Sequence, residues 1–286
     1  MRLTRRQLLL GSATAAALGG AFWAVEERVL PGRAALNELL GLDGPDGIIP
    51  TDEPGPTATG EFPSPAMSSP IGWKINYPPS SPAGPLPVVI ALHGRGGNHA
   101  STDDLGIDRF LAAHVRAGGT PFAVASVDGA DTYWHPRADG TDPTAMIADE
   151  FIPMLGGRGL DTARLGLIGW SMGGYGALFL ATKIRPEATV AVSPAVWPRF
   201  DEIADGAFDD EPQFARDTIF ACVDGLRGIP VRIDCGTDDP FYDNVELLRT
   251  KIDPTPDGGF QPGGHRGEYW RRMIPDQFTF LGNRLA

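Results

Sequence analysis

The chain has 286 residues, 42% hydrophobic and 21% charged, which is enough for one large core and fits a single domain of the α/β type. Its formal net charge is -12, with 24 basic residues against 36 acidic ones. Phosphate backbones are held by clustered Lys and Arg, so no nucleic-acid partner is expected.

Residues 1–25 read as an export segment: Arg2, Arg5 and Arg6 precede an uncharged run from Gln7 to Val25. The stretch Thr4-Arg5-Arg6-Gln7-Leu8-Leu9 resembles a twin-arginine signal, the alternative being an ordinary secretory signal that holds two arginines. No clean small-x-small cleavage site follows, so an uncleaved N-terminal anchor is a third reading. Residues 26–70 read as a linker, partly disordered. They hold a short helix from Arg33 to Leu40 and a Pro/Gly-rich stretch, 43–60, that cannot bury enough surface to offset its ordering entropy. The main domain is expected over 71–286, opening on an edge strand from Gly72 to Tyr77 and a Pro/Ser turn.

Pro87 to Leu92 is a continuous apolar, β-branched run, as expected of a strand buried on both faces of a parallel sheet. It runs into His93-Gly94-Arg95-Gly96-Gly97-Asn98. Such a loop at the carboxyl end of a central strand gives backbone amides access to a ligand, and the Arg95 amide is the candidate donor to an oxyanion. The other reading of these glycines is a tight strand-to-helix turn. His93 is expected to orient the loop. A helix capped by Ser101, Thr102, Asp103 and Asp104 runs to Ala117, and Phe122 to Val127 is the next strand. The loop after it carries Tyr133, Trp134 and His135, which either wall a substrate pocket or pack the loop down. A helix from Pro143 to Leu155 follows, with Asp149 and Glu150 on its solvated face.

Leu165 to Leu178 then reads as buried strand, sharp turn and helix start, with Gly169-Trp170-Ser171-Met172-Gly173 at the turn. A serine on so tight a turn has strained backbone angles and neighbours pressed close, hence the flanking glycines. Ser171 is the candidate nucleophile. The Met172 amide, at a helix N-terminus, is the second candidate oxyanion donor, and Trp170 is a candidate pocket residue. Val190 to Ser193 is another strand, and the polar, aromatic-bearing segment 194–217 sits where insertions often cap a site.

Ile229 to Asp234 is a strand entering the turn Gly236-Thr237-Asp238-Asp239. An acid here can fix a histidine tautomer and stabilise the imidazolium. Asp239 fits the G-x-x-D spacing and Asp238 is the alternative, one of the pair capping the helix that follows. His265, on a glycine turn before the last helix, is the candidate base, since of five histidines it alone follows the acid in the order Ser, Asp, His. Cys222 and Cys235 read equally as a disulfide or as two small buried thiols. Without histidines at ligand spacing they make no zinc site, and no metal or other cofactor is expected.

Across 72–281 these motifs resemble the esterase branch of the α/β-hydrolase fold that includes S-formylglutathione hydrolase, feruloyl and acetyl-xylan esterases and mycolyltransferases. The resemblance rests on His93-Gly94-Arg95-Gly96-Gly97, Gly169 to Gly174, Gly236 to Asp239 and Gly263-Gly264-His265. It implies a mostly parallel central sheet with helices on both faces, Ser171 as nucleophile, Asp239 and His265 as its partners, and the Arg95 and Met172 amides as oxyanion hole. The implied activity is hydrolysis of a carboxylic ester, of a small molecule or a carbohydrate, through an acyl-serine. The alternatives are an acyltransferase using the same triad and a non-catalytic binding domain on the same fold. One departure is visible: the segment Pro254 to Pro262 is Pro/Gly-rich where that branch has an apolar last strand.

Overall fold

The structure, a computed structural model, describes residues 33–80 and 84–286. The export segment read from residues 1–25 lies outside the described residues. The chain divides into two units, residues 1–44 and 45–286. In the first, the helix Arg33–Leu40 stands where the sequence places it.

The second unit is built on an eight-stranded sheet, ordered β1-β2-β4-β3-β5-β6-β7-β8 among the described residues. Its strands are β1 Thr57–Ser64, β2 Ser69–Asn76, β3 Pro87–Leu92, β4 Ala123–Val127, β5 Asp161–Trp170, β6 Ala188–Val192, β7 Val231–Gly236 and β8 Asp257–Gln261. Strand β2 runs antiparallel to β1 and β4, while β4, β3, β5, β6, β7 and β8 are parallel to one another. The period-2 alternation of β3 divides the core between the two faces. Val88, Ile90 and Leu92 pack with the helix Met172–Ile184, whereas Val89 and Ala91 pack with the helix Ile107–Arg116 and the C-terminal helix Gly267–Arg284. All six β3 residues are buried, as the apolar run requires.

Two sequence expectations are corrected here. Residues 57–70 are not linker: β1 pairs with β2 along its whole length, so β1 is the edge strand and β2, expected at the edge, lies inside it. The Gly and Pro of Thr57–Ser64 conceal a strand that needs partners on one side alone. Residues 45–56 form a strap held by arginines. Arg272 Nη1 donates to Pro45 O (2.6 Å), Arg271 Nε to Gly47 O (3.1 Å) and Arg109 Nη1 to Asp52 O (3.2 Å), and Arg116 pairs with the Asp52 carboxylate. Composition marks a segment unable to bury its own surface, but not one whose carbonyls find donors on distant helices.

Helical structure spans 143–157, with a π-helical turn at Met146–Phe151. Asp149 is exposed, as expected, but Glu150 turns inward: it accepts from the Ser64 hydroxyl and from the Ala66 amide (3.0 Å), tying down the β1–β2 turn. Strand β8 forms despite its glycines because it too is an edge. Cys222 and Cys235 are both thiols, not joined in a disulfide.

Candidate active site

The carboxyl ends of β3 to β8 share one edge of the sheet, where loops from a parallel sheet converge on a ligand. At the end of β5, Ser171 adopts φ 57°, ψ -119°, a strained conformation for a residue with a Cβ. The strain is held from all sides. The Ser171 amide donates to Val192 O (2.9 Å), and its carbonyl accepts from Gly174 (2.9 Å), Tyr175 (3.1 Å) and Ala195 (3.0 Å). A Cβ on Gly169 would lie 2.0 Å from Gly173 O, and one on Gly173 would lie 2.0 Å from Leu92 O. The two glycines are therefore what lets helix, turn and β3 meet behind the serine.

The acid and the base arrive on two loops pressed together. Asp238 N–H donates to Gly263 O (2.9 Å), and a Cβ on Gly236 would lie 2.1 Å from that same oxygen. His265 Nδ1 is then 2.9 Å from Asp239 Oδ2, and His265 Nε2 is 2.8 Å from Ser171 Oγ. The Asp239 side chain is fully buried, and its Oδ1 accepts from the Phe241 amide (2.9 Å). Of the two adjacent aspartates it is thus Asp239 that faces the imidazole, and the same carboxylate ties the start of the following helical segment. Phe241 and Trp270 stand edge-on to the His265 ring, at 5.3 and 5.2 Å between centroids, and Trp270 is fixed by its Nε1–H donating to Ser193 Oγ (3.1 Å). The sequence reading missed Trp270 and Phe241: no local pattern sets apart an aromatic that packs on a loop residue.

The helix beginning at Met172 leaves its first amides without intrahelical acceptors, and Met172 N–H is the first of them. Opposite, Gly97 N–H donates to Gly94 O (3.1 Å) and Gly96 has φ 73°, which makes 94–97 a type II turn with Arg95 at its first corner. The turn lies against the serine: a Cβ on Gly94 would be 3.5 Å from Ser171 Cβ. The Arg95 amide makes no hydrogen bond among the described residues. His93 orients this loop. Its Nε2 accepts from Gly129 N–H (3.0 Å), so the proton sits on Nδ1, which donates to Gly94 O (2.8 Å). Burial, ahead of all other influences, lowers the His93 pKa and keeps the ring neutral.

A cleft of about 410 Å³ opens beside Ser171 and His265, walled by Ala91, Leu105, Trp170 and Trp270, with Arg95 and Arg271 also lining it. Trp170, a candidate pocket residue, lies in the wall of this cleft. Tyr133, Trp134 and His135 do not line this cleft, which corrects their assignment as pocket wall. Tyr133 is buried between the rings of Tyr175 and Trp197, at 6.4 and 5.8 Å between centroids. Trp134 lies under the elbow helix against Gly176, its Nε1–H donating to His93 O (3.2 Å). His135 is fully buried, stacked on Phe208 with Nε2 donating to Ala207 O (2.9 Å), so it anchors segment 194–217. That segment, expected to cap the site, contributes no residue to the cleft.

The arrangement is a hydroxyl bonded to an imidazole that is bonded to a buried carboxylate, beside two amides at a turn and a helix N-terminus. Chemically, it suits proton removal from the hydroxyl and stabilisation of negative charge on a carbonyl oxygen. Among solved structures, a ferulic acid esterase is 20% identical with a TM-score of 0.70, over 82% of this chain and 100% of its own. An S-formylglutathione hydrolase from Agrobacterium tumefaciens is 20% identical with a TM-score of 0.67, over 80% and 95%. FphF, a fluorophosphonate-binding serine hydrolase from Staphylococcus aureus, is 19% identical with a TM-score of 0.66, over 81% and 100%. At such identities these likenesses establish the fold. No curated protein sequence matches the chain. The family model described as "Esterase: Putative esterase" matches residues 64–281, well over half of the chain. The chain therefore belongs to this esterase family, whose members are hydrolases of ester bonds on the α/β-hydrolase fold.

Proposed function

We propose that the protein is an exported serine carboxylesterase working through an acyl-serine intermediate. The observation that carries the reading is the continuous relay from Ser171 Oγ to His265 Nε2 (2.8 Å) and from His265 Nδ1 to Asp239 (2.9 Å). Ser171 attacks the ester carbonyl while His265 Nε2 takes its proton. The buried Asp239 holds the ring in the Nδ1–H tautomer and stabilises the imidazolium. The Met172 and Arg95 amides receive the oxyanion. As the tetrahedral species collapses, the C–O bond breaks and His265 returns the proton to the departing alkoxide. Water, deprotonated by the same imidazole, then attacks the acyl-serine and regenerates the hydroxyl.

Three arginines followed by the uncharged run Gln7 to Val25 support export, and the substrate of this reading is a small or carbohydrate-linked ester. The test is the intact mass of the protein after exposure to a fluorophosphonate, together with turnover of a series of aryl esters. One adduct on the parent, none on Ser171→Ala, and loss of turnover by at least about 10⁴-fold in that variant are expected. Turnover retained by purified Ser171→Ala contradicts the reading.

A further inference from the structure

The cleft beside Ser171 opens where two neighbouring strands carry small side chains on a sheet face that is otherwise filled by large ones. On the face packed against the helices Ile107–Arg116 and Gly267–Arg284, β3 and β4 pair Val89 with Val124 and, two residues further along, Ala91 with Ser126. All four side chains are buried. The valines are covered by the core, whereas Ala91 and Ser126 stop short of the layer above and both line the cleft. They are its floor.

This inner end is closed and offers a ligand no polar group. The Ser126 and Thr102 hydroxyls both donate to His99 O, at 2.6 and 3.4 Å. Leu105 and two tryptophans complete the walls, and neither indole N–H faces the opening: Trp270 Nε1 donates to Ser193 Oγ (3.1 Å), and Trp170 Nε1 is shut off from solvent. Arg95 and Asp104, which line the same space, are exposed and so mark its mouth.

A closed apolar end suits the half of an ester that stays. The acyl group remains joined to Ser171 Oγ until water attacks it, whereas the alcohol departs past His265, which protonates it, and needs a way out. At about 410 Å³ the cleft lies toward the lower end of the roughly 300–1,000 Å³ of small-molecule sites, which restricts it to a compact group. Resting on the reading of Ser171 as nucleophile, we infer that this cleft is the acyl site, that it takes a short hydrocarbon acyl group with no polar substituent at its far end, and that Ala91 and Ser126 set the chain length it accepts.

The test measures kcat/KM of the full-length protein on p-nitrophenyl acetate, butyrate, pentanoate, hexanoate and octanoate, and on ethyl, butyl and hexyl acetate as an alcohol series. In the parent, kcat/KM is expected to rise from acetate to a longer acyl ester and then fall. Ala91→Val raises the floor with a residue that strands favour, and Ser126→Thr raises it while keeping the hydroxyl. A methylene too many for a pocket costs about 10- to 200-fold, so in each variant the ratio of the parent's best acyl ester to acetate is expected to fall about tenfold or more. Ala91→Gly is expected to move the optimum to a longer chain, and all three variants to keep the parent's order in the alcohol series. p-Nitrophenyl levulinate, whose ketone would be buried without a partner, is expected about tenfold below the pentanoate in the parent. Fluorophosphonate labelling of Ser171 reports the folded fraction, and should Ala91→Val not fold, Ser126→Thr and Ala91→Gly decide. A parent that prefers acetate to every longer chain, variants that scale all acyl esters alike or reorder the alcohol series instead, or levulinate equal to pentanoate would overturn the inference and leave the serine mechanism standing. A parent that neither turns over ester nor labels at Ser171 removes both.

Discussion

The Asp239 carboxylate is shared between His265 and the backbone of the segment that follows it: Oδ2 faces His265 Nδ1 at 2.9 Å, and Oδ1 takes the Phe241 N–H at 2.9 Å. This second bond fixes the carboxylate plane without using the oxygen that the histidine needs. Asp239→Asn keeps the shape but offers an N–H as readily as an oxygen, so it destabilises both the required tautomer and the imidazolium. A fall in kcat of about 10⁴-fold is expected. Asp238→Asn is expected to stay within about threefold of the parent, and parallel kcat measurements on the two variants distinguish the neighbours.

The glycines of the elbow are required by close approach. A methyl on Gly169 would meet the Gly173 carbonyl at 2.0 Å, and one on Gly173 would meet the Leu92 carbonyl at 2.0 Å. In both cases the obstacle is backbone, which cannot swing aside as a side chain can. Gly169→Ala and Gly173→Ala are each expected to cost about 3 kcal/mol or more by overpacking, and to abolish fluorophosphonate labelling even in the fraction that folds. Urea unfolding followed by labelling of the soluble protein checks both parts.

Glu150 is far from the chemistry but holds the turn joining β1 to β2, through the Ser64 hydroxyl and the Ala66 amide. Removing a charged acceptor from two such donors costs about 2 kcal/mol. Glu150→Ala should therefore lower the urea midpoint while kcat on an aryl ester stays within about twofold.

His93, His114 and His135 all have pKa values lowered from 6.5, with burial the leading cause at each. Above pH 6.5 these rings are neutral in the folded and the unfolded chain alike, and stability has its full value. As pH falls through 6.5 the unfolded chain takes up protons that the folded chain refuses, so stability declines until the lower folded-state values are reached. The urea midpoint should fall between pH 7.5 and pH 5.5, a window above the ordinary carboxylate range. A flat midpoint across that interval would contradict the burial of these rings as neutral groups.

The sequence by itself determined what depends on neighbours along the chain. An apolar strand, a serine between glycines and a helix former identify an elbow at 169–173, because strand, strained turn and close approach each restrict the residue types allowed within a few positions. The same holds for the β3 strand with its glycine loop, and for the Gly236 turn. The tertiary structure decided whatever depends on which distant segments meet. The G-x-x-D spacing favours Asp239 but leaves Asp238 as an alternative; successive side chains point in different directions, and it is the packing of Gly236 against Gly263 that brings Asp239 to His265. Tyr133, Trp134 and His135 read equally as pocket wall or as loop packing and brace the loops, while Trp270, carried in by the last helix, took the place beside the base. Residues 43–60 looked unable to bury enough surface to fold, yet 45–56 are held by arginines and 57–64 form an edge strand whose partner lies further along the sequence. Composition measures what a segment can bury alone, and it carries no record of the hydrogen-bond donors that distant helices bring to it.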